Sequence, residues 1–474
     1  MDLRAANGVV LRFHAYIEHL SKATGHADRH APLGEYCTGL LLPGERKSIE
    51  PIAARVAPAE VGAKHQSLHH FVAKAPWSEA DVLASVRSFV LPIMEKTAPI
   101  RAWIIDDTGI PKKGKHSVGV ARQYCGELGK QDNCQVAVTL SLASDSASLP
   151  IALRLYLPEA WASDDERREK VGVPDEIVFQ TKPQIALDQI RQAIADGVPQ
   201  GVVLADAGYG NDTAFRNGLG TLGLTYVVGV QGSTAVWAPG TAPLAPRKWS
   251  GQGRPTKLLR RDDKVKPIKL SELAKGLSRK SWKTVRWREG SAGDLTGRFA
   301  AVRIRPSHRD YWRAEPWPEE WLLIEWPEGE DVPTKYWLST LPGDTPITAL
   351  VDTAKLRWRI ERDFQDLKQE IGLDHYEGRG WRGFHHHAAL SIAATDSSSP
   401  RGVRFPPQPR SSARSQRKSP PKRKASVRAA PLRPERHTPN SISTIRRLIA
   451  TALANRLPRC PCCLKPRPKS SGRL

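Results

Sequence analysis

Residues 103–124 read WIIDDTGIPKKGKHSVGVARQY. The apolar run Ala102–Ile105 has the β-branched and aromatic character of a buried strand. It runs into two carboxylates, Asp106 and Asp107, and then into a cationic loop with Lys112, Lys113, Lys115, His116 and Arg122. Carboxylates at a strand end can hold a hard divalent cation through oxygen. Cations beside them can hold phosphate. Acid for a metal and base for phosphate in one segment points to metal-dependent phosphodiester chemistry. Strand alternation lets only one of the two aspartates face a given side.

Working outward, two more strands follow, Gln135–Leu142 (QVAVTLSL) and Leu149–Leu157 (LPIALRLYL). Pro183–Ile194 has helical periodicity, with Ile185, Leu187, Ile190 and Ile194 apolar. Gly201–Ala205 (GVVLA) is a buried strand ending at Asp206. Asn211–Leu219 reads as a short helix and Leu224–Val230 as a further strand. The order β-β-β-α-β-α-β is that of the ribonuclease H-like fold. The expected class is therefore α/β, with a catalytic core over 99–230.

Residues 231–345 interrupt this core as a β-rich insertion. It opens with the basic stretch GQGRPTKLLRRDDKVK and holds strand candidates at Lys283–Trp287, Phe299–Ile304, Trp321–Trp326 and Lys335–Leu341. Its many tryptophans read first as core of a small β unit, and second as platforms for an unpaired base. Helical character returns at about 346–372, within a core segment 346–394. Upstream, 1–98 is helical. Ser78 with Asp81 makes a capping-box-like start for a helix whose apolar face is Val82, Leu83, Val86, Phe89, Val90 and Ile93. The shorter patterns at 47–57 and 65–74 suit a DNA-binding helix-turn-helix or any small helical bundle.

The chain has 474 residues and a net charge of +23. Pro400–Leu474 holds 20 Lys+Arg against one acid, Glu435, so about +19 of the total lies there. A nucleic-acid reading must therefore rest on local features, not on overall charge. The segment 395–474 reads as a basic, disordered tail, with a short helix at Ser441–Leu457 as the exception. Six cysteines in this length make no disulfide framework. Neither a signal peptide nor a run of about 18 apolar residues is present, so the expected compartment is the cytoplasm and no membrane partner is expected.

Two distant elements complete a constellation. Asp206, in VVLADAGYGND, stands at a strand end where α/β folds place ligands. Alone it reads first as a helix cap or turn aspartate. In LRWRIERDFQDLKQEIGL, at roughly 100° per residue, Arg357, Glu361 and Lys368 fall within about 40° of one another. They border an apolar stripe of Ile360, Phe364, Leu367 and Ile371, while Asp363, Asp366 and Glu370 are expected to face solvent. An i, i+4, i+7 ion-pair ladder would also explain the three.

Together, IDDTG–PKKGKHSVGVARQY, LADAGYG and the spacing Arg-x3-Glu-x6-Lys resemble the bacterial insertion-sequence DDE transposases with a β-rich insertion before the glutamate. The resemblance spans about 35 to 390. It departs at the tyrosine of the family's Tyr-x2-Arg-x3-Glu-x6-Lys signature, where this chain has Ala354.

The resemblance implies Asp107, Asp206 and Glu361 as the catalytic, metal-binding triad, Asp107 because the family's motif is Asp-Thr. It implies two Mg²⁺ ions (or Mn²⁺) about 3.5–4 Å apart. Arg357 and Lys368 would grip phosphates, with Lys112, Lys113, Lys115, His116 and Arg122 as further DNA contacts. The implied partner is double-stranded DNA, as terminal inverted repeats and target, bound by a dimer in a bacterial, nucleoid-associated setting. The competing readings are a decayed DNA-binding remnant and a host endonuclease on the same fold.

Past the histidines 385–387, read as phosphate contacts or a helix cap, the family continues with a Tyr-Gly-Phe-Leu-like run. Here TDSSSP (395–400) stands instead. One coding of TDSSSP, shifted by a base, gives Tyr-Gly-Phe-Leu-Ile-Ser, which suggests a frameshift near Thr395.

Overall fold

Strand β1 (Ala102–Pro111) carries Asp106 and Asp107 and lies inside a large mixed sheet. The computed structural model describes residues 3–252, 254, 256–262, 264–289, 294–396 and 442–461. The other strands are β2 (Ala121–Cys125), β3 (Lys130–Ala143), β4 (Ser148–Leu155), β5 (Val202–Ala205), β6 (Tyr226–Val230), β7 (Ala235–Trp237), β8 (Ile268–Lys269), β9 (Lys283–Glu289), β10 (Asp294–Pro306), β11 (Glu320–Trp326) and β12 (Lys335–Ser339).

The sheet runs β2-β3-β1-β5-β6-β12-β11-β10-β7-β8, with β4 on β3 and β9 on β10. Strands β1, β5 and β6 are parallel, and β3 is antiparallel to β1. The segment after β6 is built into this sheet, because β12 pairs antiparallel with β6, Leu338 opposite Val228.

The helices are α1 (Leu3–Ser21), α2 (His30–Leu41), α3 (Ile49–Val56), α4 (Val61–Ala73), α5 (Glu79–Thr97), α6 (Glu159–Ala162), α7 (Asp165–Val171), α8 (Lys182–Ala195), α9 (Ala207–Gly210), α10 (Thr213–Thr221), α11 (Leu270–Gly276), α12 (Ile347–Lys355), α13 (Trp358–Gln365), α14 (Trp381–Asp396) and α15 (Ile442–Ala454). The Ser78 hydroxyl accepts from Asp81 N–H at 3.1 Å and caps α5, which buries Val82, Leu83, Val86 and Val90 as its periodicity requires. A complete Thr181/Gln184 capping box starts α8.

The two faces of the sheet serve different cores. On one, Trp103, Ile105, Val203 and Ala205 pack with Ile185 and Ile190 of α8. On the other, Ala102, Ile104, Leu204 and Val227 pack with Leu350, Val351 and Ile360 of α12 and α13. Alternation along β1 therefore sends odd positions toward α8 and even positions toward α13.

Helices α12 and α13 are separated by a turn at Leu356–Arg357. After Gln365 the chain widens into π-helical turns, Asp366–Ile371, that end at Gly372 in the left-handed region (φ 89°). The extra residue per turn shifts the phase of the side chains. Asp363, Asp366 and Glu370 were expected to face solvent, and the structure overturns this. Asp363 is buried beneath β4 and accepts from the Ser148 hydroxyl at 2.5 Å, and burial pushes its carboxyl up to about 7. Asp366 is buried and paired with Arg362 at 2.9 Å. Glu370 accepts from Arg446 Nε at 2.7 Å.

That last pair comes from α15. The short helix expected at Ser441–Leu457 is present as Ile442–Ala454, and it is a packed element. Ile445, Ile449, Ala450, Ala452 and Leu453 are buried, and Arg446 also donates to the Leu41 carbonyl at 2.8 Å. The frameshift reading concerns residues that, past Asp396, lie outside those described.

His385, His386 and His387 are buried on α14, which corrects their expected role in phosphate contact or capping. His385 accepts from Leu155 N–H at 3.2 Å, and His387 bridges the Tyr36 hydroxyl at 2.9 Å and the Gly372 carbonyl at 3.1 Å. Both ring nitrogens of His386 face carbonyls, those of Val72 at 2.9 Å and Trp77 at 2.8 Å. They tie α14 to the N-terminal helices and to the sheet.

Candidate active site

Strands β1 and β5 are in parallel register, Ile104 opposite Leu204. Two residues further along each chain stand Asp106, within β1, and Asp206, just past the end of β5, both on the α13 side of the sheet. Asp206 caps the single turn α9, its Oδ1 accepting from Gly208 N–H at 2.9 Å and Tyr209 N–H at 3.4 Å. The cap reading suggested by sequence alone thus holds for one oxygen of this carboxylate. A glycine is required at 210, because a Cβ there would overlap the Gly229 carbonyl oxygen of β6. The turn that carries Asp206 is pressed against that strand.

Glu361 comes from the first turn of α13, and Arg357 from the turn just before it. The Arg357 guanidinium donates to Asp106 Oδ2 at 2.5 Å and to Glu361 Oε1 at 2.7 Å. Asp106 is largely buried, 15% exposed at the side chain, whereas Glu361 is 60% exposed. Burial pushes the Asp106 carboxyl up to about 7; Arg357 opposes this, and the charges of Asp206 and Asp107 add to it. Burial lowers the Arg357 guanidinium, but Asp106, Glu361 and Asp206 outweigh it and raise it above its ordinary value. Asp206, Arg357 and Glu361 also line a cleft of about 500 Å³ with Lys335, Trp337 and Lys355.

Asp107 lies elsewhere. Its Oδ2 accepts from Lys182 Nζ at 2.9 Å, at the start of α8, and its Oδ1 accepts from the Tyr209 hydroxyl at 3.3 Å. The sequence placed Asp107 with Asp206 and Glu361; in the structure it is Asp106 that shares Arg357 with Glu361, while Asp107 is bonded to Lys182 and Tyr209. The physical reason is alternation, because Asp107 shares its side with Trp103 and Ile105, which pack toward α8. A signal for Asp106 was present in the sequence. Ile104-Ile105-Asp106 and Leu204-Ala205-Asp206 are two apolar-to-acid steps that come into line once β1 and β5 pair in parallel, although β1, expected to end at Asp107, continues to Pro111. Lys182 and Tyr209 had no such signal.

The expected phosphate contacts separate into two groups. Lys113, Lys115 and His116 are exposed on the loop after β1, and Arg122 is exposed on β2. Lys112 is half-buried and donates to the Tyr376 carbonyl at 2.6 Å, with burial lowering its pKa. Lys368 is 13% exposed and donates to the Gly109 carbonyl and to Glu127, both at 2.7 Å. Lys368 thus ties α13's continuation to β1, and Lys112, just after β1, ties the strand's end to the segment before α14. Ala354, at the tyrosine position of the signature, is buried beside the cleft.

The donor set of Asp106, Asp206 and Glu361 is all oxygen and anionic, which fits a hard divalent cation. As the side chains stand, no three His, Cys, Asp or Glu groups among the described residues are close enough together to hold a metal ion. The Glu361 carboxylate is instead paired with Arg357.

The sequence signature of the DDE superfamily endonucleases matches residues 18–294. The chain belongs to that family. The match takes in both aspartates of β1 and Asp206 but stops before Glu361. A probable transposase for insertion sequence element IS701 from Microchaete diplosiphon is 35% identical over 167 residues. That alignment covers 35% of this chain and 40% of the relative, so the DDE family chain spans less than half the length of the relative it matches. No helix among the described residues is long and apolar enough to cross a membrane.

Proposed function

We propose that this chain is the transposase of an insertion sequence, cutting DNA at the element's ends and joining them to a target. Its core is read as ribonuclease H-like (99–230 with 346–394), with 231–345 inserted and 1–98 as a DNA-binding unit. The observation that supports the reading is that Arg357 bridges Asp106 and Glu361 and lines one cleft with Asp206 and Glu361, in a chain of the DDE endonuclease family.

Asp106, Asp206 and Glu361 would supply the ligands for divalent ions, Mg²⁺ or Mn²⁺. The chemistry such ions would supply is activation of a water or DNA 3′-hydroxyl and stabilisation of the leaving oxygen. The protein's own part is positional. Arg357, on the turn before α13, is placed to hold a phosphate bidentately beside the carboxylates. Lys113, Lys115, His116 and Arg122 offer an exposed cationic edge for the backbone of the duplex. Asp107 holds the base of the site through Lys182 and Tyr209. Joining two ends at once favours a dimer on DNA.

The test is cleavage by the full-length protein of duplexes carrying the terminal repeats that flank its gene, with Mg²⁺ or Mn²⁺. Metal-dependent nicks at the element boundary that vanish in Asp206→Ala and Glu361→Ala are expected. Products identical in wild type and variants would sink the catalytic reading. Retained duplex binding with no cleavage in any protein would make the chain a DNA-binding remnant.

A further inference from the structure

We infer that Arg357 is the resident counter-cation of the carboxylate cluster and competes with the divalent ion for Asp106 and Glu361. The inference rests on the metal-site reading above.

Both oxygens of Asp106 are already engaged. Oδ1 accepts from the N–H of Asp107 at 2.9 Å, and Oδ2 accepts from Arg357 at 2.5 Å. Glu361 Oε1 accepts from the same guanidinium at 2.7 Å. Each of these oxygens keeps a second lone pair, so a hydrogen bond alone does not bar an ion. The guanidinium at these distances, however, places a positive charge beside the carboxylates where a cation would sit and repels it. Gathering the three acids around one cation needs a different placement of their side chains, and a shift of Arg357 away from Asp106 and Glu361 would remove the competing charge.

The device follows from the fold. Three carboxylates brought to one end of a sheet repel one another and resist ionisation. A planar guanidinium with several donors can bond two of them together, which a lysine ammonium on one stem does less well. Its place on the α12–α13 turn, one helical turn before Glu361, puts both partners within reach. A phosphate bound in the cleft would offer Arg357 a rival anion. DNA that draws the guanidinium away would thereby free two ligands, so ion and DNA would favour each other's binding.

The test is Mn²⁺ binding to the full-length protein without DNA, by calorimetry and by the electron paramagnetic resonance signal of free Mn²⁺. Wild type is compared with Arg357→Lys, Arg357→Gln, Asp206→Asn and Glu361→Gln. Arg357→Lys keeps the charge but loses the bridge, and several-fold tighter Mn²⁺ binding is expected. Arg357→Gln should bind about tenfold tighter or more, and the gain should persist in high salt, where long-range charge effects are screened. Circular dichroism confirms that each variant is folded.

Arg357→Lys and Arg357→Gln both matching wild type, while Asp206→Asn and Glu361→Gln lose Mn²⁺, would overturn this inference and leave the metal-site reading standing. Asp206→Asn and Glu361→Gln binding like wild type would overturn both.

Discussion

Asp106 and Arg357 lie 251 residues apart in the chain and are joined by a 2.5 Å ion pair. The pair links the central strand to the helix that carries Glu361. It is the contact through which a strand aspartate and a late helix become parts of one site. It also separates Asp106 from its neighbour Asp107, which is held by Lys182 on the other side of the sheet.

The two aspartates should therefore behave differently. Asp106→Asn removes a proposed ion ligand and is expected to lower metal-dependent cleavage by about 1000-fold, equivalent to about 4 kcal/mol of barrier. Asp107→Asn should lower it by about tenfold or less and act mainly on the melting temperature. Single-turnover cleavage alongside thermal melts separates them. The reverse ranking would restore Asp107 to the triad.

The exposed loop lysines give a different signature. Replacing Lys113 and Lys115 together with Ala should weaken duplex binding about equally for cognate and unrelated sequences. The slope of log affinity against log salt should fall by about 0.9 for each phosphate no longer neutralised by a lysine. An unchanged slope in filter-binding titrations would remove the loop from the DNA path.

His387 makes stability depend on pH. Burial depresses its pKa to about 4, with Lys112 and His375 adding repulsion and the Gly372 carbonyl opposing. A histidine with a lowered folded-state pKa contributes fully above its unfolded value of about 6.5, and the contribution fades as pH falls toward 4. The stability of wild type minus that of His387→Gln should therefore shrink as pH drops from 7 to 4.5. Denaturant melts across that range would show it, and a difference independent of pH would contradict the buried neutral ring.

Helix α15 should be part of the folded unit. Ile449 is 3% exposed, and Ile449→Ala is expected to cost about 2–4 kcal/mol. Arg446→Ala leaves Glu370 without its 2.7 Å partner and should destabilise the protein in the same direction. Equal melting temperatures for wild type and both variants would mean that the helix does not dock.

Gly210→Ala tests the Asp206 turn. The added methyl meets the Gly229 carbonyl oxygen, which as sheet backbone has little room to move. A loss of about 2 kcal/mol or more is expected, with cleavage reduced beyond what stability explains because Asp206 moves with the turn. A variant as stable and active as wild type would show that the turn has slack.

Much of this protein is local and so was readable along the chain. The apolar runs around 102, 135, 149, 202 and 226, the Ser78 cap and the α8 periodicity each depend on neighbours a few residues away. They correspond to observed elements within a few residues. The motif residues themselves, Asp206, Arg357 and Glu361, were also found that way. What required the fold was phase. Which of Asp106 and Asp107 meets Asp206 depends on the parallel register of β1 with β5 and on which face α13 covers. Whether Asp363 sees solvent depends on β4, whose Ser148 covers it, and whether Asp366 and Glu370 do depends on the π-turns and on α15, which arrives from the far end of the chain. Whether Lys112 and Lys368 hold DNA or brace β1 depends on the carbonyls brought beside them. Residue chemistry is a property of the sequence, but the direction a side chain faces and the partner it meets are set by long-range packing.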